Sequence, residues 1–290
     1  MILFADPLPA AELQPHRGAW RHHGGKAQLA QRLVGMFPPH RQYREPYCGS
    51  AAVLLAKPRV PNELLVDLDD LVVKTLRCIR DRTAELARVC ALTPFARAEN
   101  ELPLDEDLEE LELARRFLLQ ASAGIGSYRK KKNSFRRWRS NEGSAPATVW
   151  RGVPQHIRAV GQRLLGVTIE SRPALEVIAA TDARDALFYV DPPYPHATRG
   201  QGGRGFFPSD GYQHEMTDDD HEELLDLLLA LTGLAIVSSY PNAIYADRLG
   251  GAGWARYEMA AYAERAERRT EVLWINPAAQ AAQMQGSLFQ

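Results

Sequence analysis

Short apolar runs that end in acids alternate with amphipathic stretches along much of the chain. The runs at residues 62–67 (NELLVD) and 186–191 (ALFYVD) have the length of buried strands. Residues 71–90 carry apolar side chains at the spacing of one helix. Because strands that alternate with helices form parallel sheets through right-handed crossovers, we predict an α/β fold with a mostly parallel sheet.

The same pattern predicts the remaining elements. A helix over residues 217–233 has Thr217 as its N-cap and Asp220 at the capping-box position. Further helices are predicted over residues 25–37, 51–57, 108–122, 156–166 and 172–180. Further strands are predicted over residues 42–49 (running into a turn), 167–171, 233–240 and 268–277.

The alternation stops between residues 93 and 155, where the chain is polar, at first helical and then aperiodic. We therefore predict a discontinuous α/β domain of residues 1–85 and 150–277, interrupted by a largely helical insertion of residues 86–149. The Ala- and Gln-rich residues 278–290 are predicted to form a flexible tail.

The composition bears on three properties: the size of the folded core, the affinity for polyanions and the cellular compartment. Hydrophobic residues make up 45% of the 290 residues and charged residues 24%, which is enough for a sizeable folded core. The net charge of −1 means that affinity for a polyanion requires a local cluster of basic residues. Three cysteines without metal-ligand spacing, no signal peptide and no membrane-spanning run predict a cytoplasmic chain without a metal site.

Acids fall at three predicted strand ends, namely Glu45, Asp67 and Asp191. The carboxyl ends of parallel strands are where open α/β sheets bind their ligands. Gly49 and Ser50 follow Glu45 in a turn that either holds an anion or serves as a plain turn. Asp67 has the spacing of an acid that accepts from ribose hydroxyls; a helix N-cap at Asp67 or Asp69 is equally compatible with the spacing.

Lys26 follows Gly24 and Gly25 at a predicted helix start. A cation in the first turn opposes the helix dipole, so an anionic partner such as a carboxylate is expected nearby.

The sequence DPPY, residues 191–194, combines hydrogen-bond acceptors with a ring. Proline supplies no N–H, so the carbonyl groups of Pro192 and Pro193 are preset acceptors beside the Asp191 carboxylate. Tyr194 adds an exposed aromatic face for stacking. This combination suits a planar substrate with an amino group, because acceptors on both N–H bonds free the nitrogen lone pair. A rigid turn without a ligand would also explain the two prolines.

Seven segments, in order over residues 18–277, resemble the D12 class of S-adenosylmethionine-dependent DNA adenine-N6 methyltransferases, which includes DNA adenine methylases and their phage and prophage relatives. They are GGKAQLAQRL, YREPYCGSAAVLL, LLVDLDDLVV, VTIESRPALEVI, LFYVDPPY, YQHEMTDDDHEELL and RRTEVLWINP. The resemblance implies a Rossmann-like methyltransferase fold with an inserted target-recognition region. It also implies site-specific transfer of a methyl group from S-adenosyl-L-methionine to adenine N6 in double-stranded DNA.

The resemblance further implies a role for each motif residue. Lys26 would meet the methionine carboxylate of the cofactor, and Asp67 its ribose. Asp191 and the Pro192 carbonyl would accept from the adenine amino group, and Tyr194 would stack on the flipped base. The implied catalytic residues are Asp191, Pro192, Pro193 and Tyr194. The implied cofactor-binding residues are Trp20, Gly25, Lys26, Glu45, Pro46, Tyr47, Gly49, Ser50, Asp67, Leu68, Arg172, Pro173 and Asp191.

Two positions depart from the family pattern. Ala51 stands where relatives often have a second glycine, which is tolerated if the cofactor does not press against the methyl group. Many relatives have an Asp near the end of the strand before DPPY that meets the cofactor's adenine, whereas this chain has Pro173. That contact either passes to the Arg172–Pro173 backbone or is missing.

Seven basic residues between Arg129 and Arg139 form a dense cluster interleaved with aromatic residues. Self-repulsion makes such a cluster unfavourable without a polyanion, so we predict contact with DNA in preference to a solvated loop. The predicted DNA-binding residues are Ser127, Tyr128, Arg129, Lys130, Lys131, Lys132, Arg136, Arg137 and Arg139. The glycine-rich residues 200–211 are predicted to form a lid over the flipped base or a plain loop.

Three competing functions stay open. A protein-glutamine N5-methyltransferase uses a similar Pro-Pro-Tyr turn, but such relatives usually have Asn where this chain has Asp191. An RNA adenine methyltransferase and a DNA-binding protein with an inactive methyltransferase fold are also compatible with the motifs.

The last residues of the chain carry a separate motif. Residues 285–289 (QGSLF) resemble the pentapeptide by which bacterial proteins dock on the replication sliding clamp. That clamp is therefore a candidate partner.

Overall fold

The computed structural model describes residues 18–22, 26–105, 107–124, 135, 145–194, 216–262 and 268–287. The chain divides into two compact units. The first comprises Met1–Ala27, Ala52–Ala56 and Lys74–Leu165, and the second comprises Gln28–Ala51, Lys57–Val73 and Gly166–Gln290. The insertion predicted over residues 86–149 thus lies within the first unit, which extends beyond it on both sides. Across the described ranges, no helix is long and apolar enough to cross a membrane.

Seven strands in the described ranges form one sheet in the second unit. They are β1 (Gln42–Pro46), β2 (Asn62–Asp67), β3 (Thr168–Ser171), β4 (Ala186–Val190), β5 (Leu234–Ser239), β6 (Ala255–Tyr262) and β7 (Arg268–Ile275). Their order is β3-β2-β1-β4-β5-β7-β6. Pairing is parallel from β3 to β5, and β7 runs antiparallel to both β5 and β6. The mostly parallel α/β sheet predicted from the sequence is confirmed.

The strand order reverses at the neighbouring strands β1 and β4. At such a switch point the crossovers leave on opposite faces of the sheet and open a crevice at the carboxyl ends of the strands. A ligand of this sheet is therefore expected beside the ends of β1 and β4.

The helices of the described ranges are α1 (Ala30–Val34), α2 (Ala52–Ala56), α3 (Asp70–Asp81), α4 (Thr83–Leu92), α5 (Arg97–Asn100), α6 (Glu110–Ala123), α7 (Pro146–Leu164), α8 (Ala174–Ala180), α9 (Asp218–Ala230), α10 (Ala243–Gly251) and α11 (Pro277–Ser287). The capping box predicted for α9 is present: the Thr217 hydroxyl accepts from the Asp220 N–H, and the Asp220 carboxylate accepts from the Thr217 N–H. This reciprocal pair fixes the helix start.

One hydrophobic cluster of the second unit lies on one face of the sheet. Phe188 and Val190 of β4, Val237 of β5 and Trp274 of β7 are buried there against apolar side chains of α8, α9 and α10. Because alternate residues of a strand face opposite sides, this packing also fixes which side chains β4 presents at its end.

The first unit contains α2 and α4 to α7, together with α3 from Lys74 onward. The single helix predicted over residues 71–90 is broken at Arg82, and the Thr83 hydroxyl donates to the Ile79 carbonyl at the break. A Cβ at Gly161 of α7 would overlap Thr83 Oγ1, so only glycine permits the observed approach of α7 to this break. The local sequence pattern does not predict this tertiary contact, and therefore does not predict the break at Arg82.

The C-terminal segment corrects the prediction of a flexible tail over residues 278–290. It is helical to Ser287, with the Asn276 side chain accepting from the Ala279 N–H at 2.8 Å. Ala279 is buried, and the Gln283 side chain donates to the Met36 carbonyl. Because alanine has the highest intrinsic helix propensity, one helix cap and these contacts are sufficient to order the segment as a helix. Residues 288–290 lie outside the described ranges.

Candidate active site

The three acids predicted at strand ends come together at the carboxyl edge of the sheet. Pro46 at the end of β1 pairs with Val66 of β2, and Asp67 follows directly. On the other side of β1, Arg44 pairs with Phe188 of β4, so Asp191 follows β4 at the level of the turn after β1. The sheet register therefore brings the segment 45–51, Asp67 and Asp191 to one site.

Asp67 fastens the turn after β1 to the end of β2. Its Oδ2 accepts from the Gly49 N–H at 2.8 Å, and its Oδ1 accepts from the Asp69 N–H at 2.9 Å. Asp69 instead caps α3, because its Oδ1 accepts from the Leu71 N–H at 3.0 Å. Asp69, and not Asp67, is therefore the N-cap of α3. The Asp67 carboxylate faces the turn instead.

The turn after β1 has an unusual backbone. Tyr47, Gly49 and Ala51 all have positive φ values, of 65°, 49° and 54°. Such values are unfavourable for residues with a Cβ, and they are found mainly where neighbouring contacts over-determine the backbone. Ala51 therefore occupies a glycine-type position, although its methyl group is fully buried.

Replacing Ala51 with Gly is expected to raise the free energy of unfolding by up to about 1 kcal/mol, because it relieves the left-handed backbone. Urea unfolding monitored by circular dichroism measures the change. The matched control is Gly166→Ala: Gly166 has a φ of 81° and an added Cβ would meet nothing within 4 Å. That variant should lose about 1 kcal/mol from backbone strain alone. A destabilised Ala51→Gly protein would contradict this account of the turn.

Glu45 lies at the start of the turn as a buried acid. It is 3% exposed, and its Oε2 accepts from the Tyr43 hydroxyl at 2.8 Å. Burial, and then the charge of Glu45, raise the pKa of Tyr43 well above its ordinary value. Tyr43 therefore remains a donor, and it holds the Glu45 side chain in one position.

The segment 191–194 continues β4 beyond the sheet. Asp191 is half-buried, and Pro192, Pro193 and Tyr194 are buried. The Tyr194 hydroxyl lies within hydrogen-bond distance of two carboxyl groups, Asp191 Oδ1 at 2.9 Å and Glu271 on β7, and its one proton can be donated to either. The Tyr194 ring packs against Tyr240 at 60° with centroids 4.4 Å apart. The expectation of an exposed ring is therefore wrong, because Tyr194 is 6% exposed and both its hydroxyl and its ring have protein partners.

The pKa of Tyr194 lies well above its ordinary value. Burial is the main cause, and the negative charges of Asp191 and Glu271 add to it. Tyr194 is consequently a neutral hydroxyl that donates a proton in its hydrogen bonds.

A model of the family described as D12 class N6 adenine-specific DNA methyltransferase matches residues 22–232. The chain belongs to this family. The resemblance found in the motifs is thereby confirmed, and the protein is an adenine-specific DNA methyltransferase. Its mostly parallel sheet, with the order reversing at β1 and β4, is the Rossmann-like fold of such enzymes.

Solved structures of other methyltransferases are similar over most of their length. An Escherichia coli protein, yhhF, named as a methyltransferase, is 12% identical, with 87% of this chain and 84% of that chain covered and a TM-score of 0.35. A Klebsiella pneumoniae protein named as an O-methyltransferase is 10% identical, with 95% and 92% covered and a TM-score of 0.36. A search among curated proteins finds no match.

For several residues assigned from the methyltransferase motifs, the structure does not test the assigned role. Trp20 and Lys26 belong to the first unit, where both are buried, and the Trp20 ring packs edge-on against Phe117. Gly25 lies outside the described residues. So do the glycine-rich segment 200–211 and the predicted DNA-binding residues, which are Ser127, Tyr128, Arg129, Lys130, Lys131, Lys132, Arg136, Arg137 and Arg139. Their roles stay predictions.

Arg172 and Pro173 lie beside the end of β2, since Asp67 pairs with Ser171 of β3. The Arg172 guanidinium is held by Glu170 at 3.6 Å and by Glu176 at 3.4 Å. Pro173 occupies the N-cap position of α8 and its carbonyl accepts from Val177. The Pro173 carbonyl is thus part of the α8 hydrogen-bond pattern, and a contact of the Arg172–Pro173 backbone with the cofactor's adenine stays a prediction.

Sequence reasoning missed two residues of the site, Glu271 and Tyr240. Glu271 is a buried acid in the strand run TEVLWI, and an acid within an otherwise apolar strand was the available signal. Tyr240 follows β5, and its position at a strand end was the corresponding signal. Neither residue belongs to a sequence motif of known function, so the sequence pattern alone did not predict a role for them.

Proposed function

We propose that this methyltransferase transfers a methyl group from S-adenosyl-L-methionine to N6 of a specific adenine that is flipped out of duplex DNA. The observation that carries the proposal is the side-by-side placement of two segments at the sheet switch point: the 45–51 turn fastened by Asp67, and the Asp191–Tyr194 segment. The first suits the cofactor and the second suits the amino group.

The residues near Asp67 fit S-adenosylmethionine. Two backbone amides fix both oxygens of the Asp67 carboxylate, as acceptance from the two hydroxyls of a ribose requires. Leu68 beside it is 46% exposed, and it offers an apolar surface for an adenine ring. The positive-φ turn of Tyr47, Gly49 and Ala51 brings backbone groups close to this edge. When bound, the cofactor supplies a methyl group on a sulfonium that departs as a neutral thioether.

The segment 191–194 would hold the adenine amino group. This group is a poor nucleophile because its lone pair is delocalised into the ring. Acceptance of its two N–H bonds by the Asp191 carboxylate and the Pro192 carbonyl would favour a tetrahedral nitrogen and free the lone pair. The rigid prolines keep these acceptors in place, so their orientation needs no adjustment during the reaction.

An adenine inside the duplex must leave the stack to reach this edge. Extrusion costs a few kcal/mol, and stacking on an aromatic side chain returns roughly 1–3 kcal/mol per base. The motif resemblance assigns this stacking to Tyr194; because that side chain is 6% exposed and packs against Tyr240, neighbouring side chains would have to move for a base to reach its ring. Phosphate contacts from the basic cluster at residues 129–139 would supply the remaining affinity.

Replacing Asp67 with Asn is expected to weaken cofactor binding by about ten- to a hundredfold, the usual effect of losing hydrogen bonds to a charged group. Isothermal titration with S-adenosylmethionine measures the Kd. Asp69→Asn is the matched control, because Asn also serves as an N-cap and should leave the Kd unchanged. Equal losses of cofactor affinity in the two variants would show that the total negative charge at this edge of the sheet, and not a direct contact of Asp67, determines the affinity.

Transfer of tritiated methyl groups from S-adenosylmethionine to duplex DNA tests the function itself. The expected result is label in N6-methyladenine of DNA, at one sequence motif that sequencing of the methylated DNA would identify. Label in protein or RNA but not in DNA would favour a protein-glutamine or an RNA methyltransferase. Cofactor binding and DNA binding without transfer would favour a non-catalytic DNA-binding protein.

Two further predictions from the sequence carry no added support. Docking on a sliding clamp through residues 285–289 would involve Gln285, which is part of α11, and residues 288–290 outside the described ranges. A cytoplasmic location likewise stays a prediction from the sequence.

A further inference from the structure

Tyr194, Asp191 and Glu271 form a cluster of one hydroxyl and two carboxyl groups. The Tyr194 hydroxyl lies 2.9 Å from Asp191 Oδ1 and is also in hydrogen-bond contact with Glu271 Oε1. The three residues come from two separate parts of the sheet, since Asp191 and Tyr194 follow β4 whereas Glu271 lies on β7. The cluster is therefore a product of the fold and not of one local turn.

Glu271 lies in a strand whose following residues, Val272 to Ile275, are all buried and apolar except for the indole N–H of Trp274. Glu271 is itself 3% exposed. Burying a carboxyl group is unfavourable unless hydrogen bonds or charges compensate, so an acid at this position calls for a specific contact. The hydroxyl of Tyr194 supplies one.

The hydroxyl of Tyr194 carries a single proton. It can therefore donate fully to only one of the two carboxyl groups at a time. While it donates to Asp191, it uses one lone pair of that carboxylate and offsets part of its charge, so Asp191 is a weaker acceptor for the adenine amino group. While it donates to Glu271, Asp191 keeps its full charge for the amino group.

We propose that Glu271 is a positioning residue for methyl transfer: it accepts the Tyr194 hydroxyl when the target amino group binds, and so leaves Asp191 as a stronger acceptor for that group. The inference rests on the proposed function. No covalent bond changes in this exchange, since the hydroxyl rotates between two acceptors and keeps its proton. Glu271 also anchors the Tyr194 ring at its hydroxyl end, which holds the ring face in one orientation.

The test compares Glu271→Leu and Glu271→Gln with the wild-type protein in single-turnover methyl transfer to duplex DNA. Leu removes the acceptor, whereas Gln keeps a weaker, uncharged one. We expect Leu to lower the rate about ten- to a hundredfold and Gln to lie between Leu and the wild type. The Kd for S-adenosylmethionine should stay unchanged in both. Glu258→Gln, at an exposed acid on the neighbouring strand β6, is the matched control and should transfer at the wild-type rate.

A double-mutant cycle with Tyr194→Phe separates positioning from a general structural role. If Glu271 acts through the hydroxyl, Glu271→Gln should change the rate little once the hydroxyl is absent. Equal losses from Glu271→Gln with and without the Tyr194 hydroxyl, or wild-type rates for both Glu271 variants, would overturn the inference. Loss of cofactor binding in parallel with transfer would overturn it as well. A wild-type protein that methylates no DNA adenine would instead contradict the proposed function.

Discussion

Replacing Asp191 with Ala is expected to lower the rate of methyl transfer by about a thousandfold or more, the scale seen when a preorganised polar contact to a reacting group is lost. The Asp191 carboxylate is the ionisable acceptor at the end of β4, and no backbone group can replace its charge. Cofactor binding should be largely intact, because Asp67 and the 45–51 turn hold their positions through separate hydrogen bonds. Single-turnover transfer and calorimetric titration measure the two quantities.

The control for the Asp191 variant lies at the other end of the same strand. Asp185 precedes β4 and accepts from the Gln42 side chain at 2.9 Å on the exposed surface. Asp185→Asn removes one negative charge beside β4 and should transfer methyl groups at the wild-type rate. Near-normal turnover by Asp191→Ala would show that the role assigned to this carboxylate is wrong.

Replacing Lys57 with Met is expected to destabilise the protein by about 3–5 kcal/mol, because it leaves the charge of Glu63 buried without its partner. Lys57 Nζ lies 2.8 Å from Glu63 Oε1, and the two side chains are 1% and 2% exposed. Lys57 also donates to the Pro58 carbonyl at 2.7 Å and lies over the Tyr43 ring. Urea unfolding measures the loss.

Two further variants test this explanation of the Lys57 effect. The double variant Lys57→Met with Glu63→Met removes both charges and should recover most of the stability, since a well-packed apolar pair replaces a buried ion pair at little net cost. Arg80→Met breaks the exposed pair of Arg80 with Asp81 and should change stability by no more than about 1 kcal/mol. A double variant as unstable as Lys57→Met would mean that packing of the lysine, and not its charge, is decisive.

Strands β2 and β4 of the catalytic edge were predictable because they contain short, continuous apolar runs followed by an acid. Parallel strands buried on both faces have this pattern, and the parallel arrangement brings their ends to one edge. β6 (ARYEMAAY) was not predicted, although its alternation of polar and apolar residues is the pattern of an edge strand. The helix α11 was missed because its stability derives from a cap and from tertiary contacts to residues distant in the chain.

The sequence predicted only those residues of the candidate site that stand in recognisable motifs or at strand ends. Asp67 and Asp191 stand at strand ends, so position and residue type together indicated a ligand edge. Which of Asp67 and Asp69 caps α3 depends on side-chain direction, which spacing alone does not determine. The contact between Tyr194 and Glu271 joins residues from non-consecutive strands and requires the order of β5 and β7 in the sheet.

The pairing of β1 with β4 at the centre of the sheet links catalysis to the folding pathway. The register joins Gln42 to Ala186, and residues Lys74–Leu165 of the first unit lie between these strands in the chain. Contacts between such distant positions require closure of a long loop, whose entropic cost slows folding. Asp191 and the 45–51 turn meet only after this closure. A growing chain on the ribosome consequently cannot form the site until β4 has been synthesised.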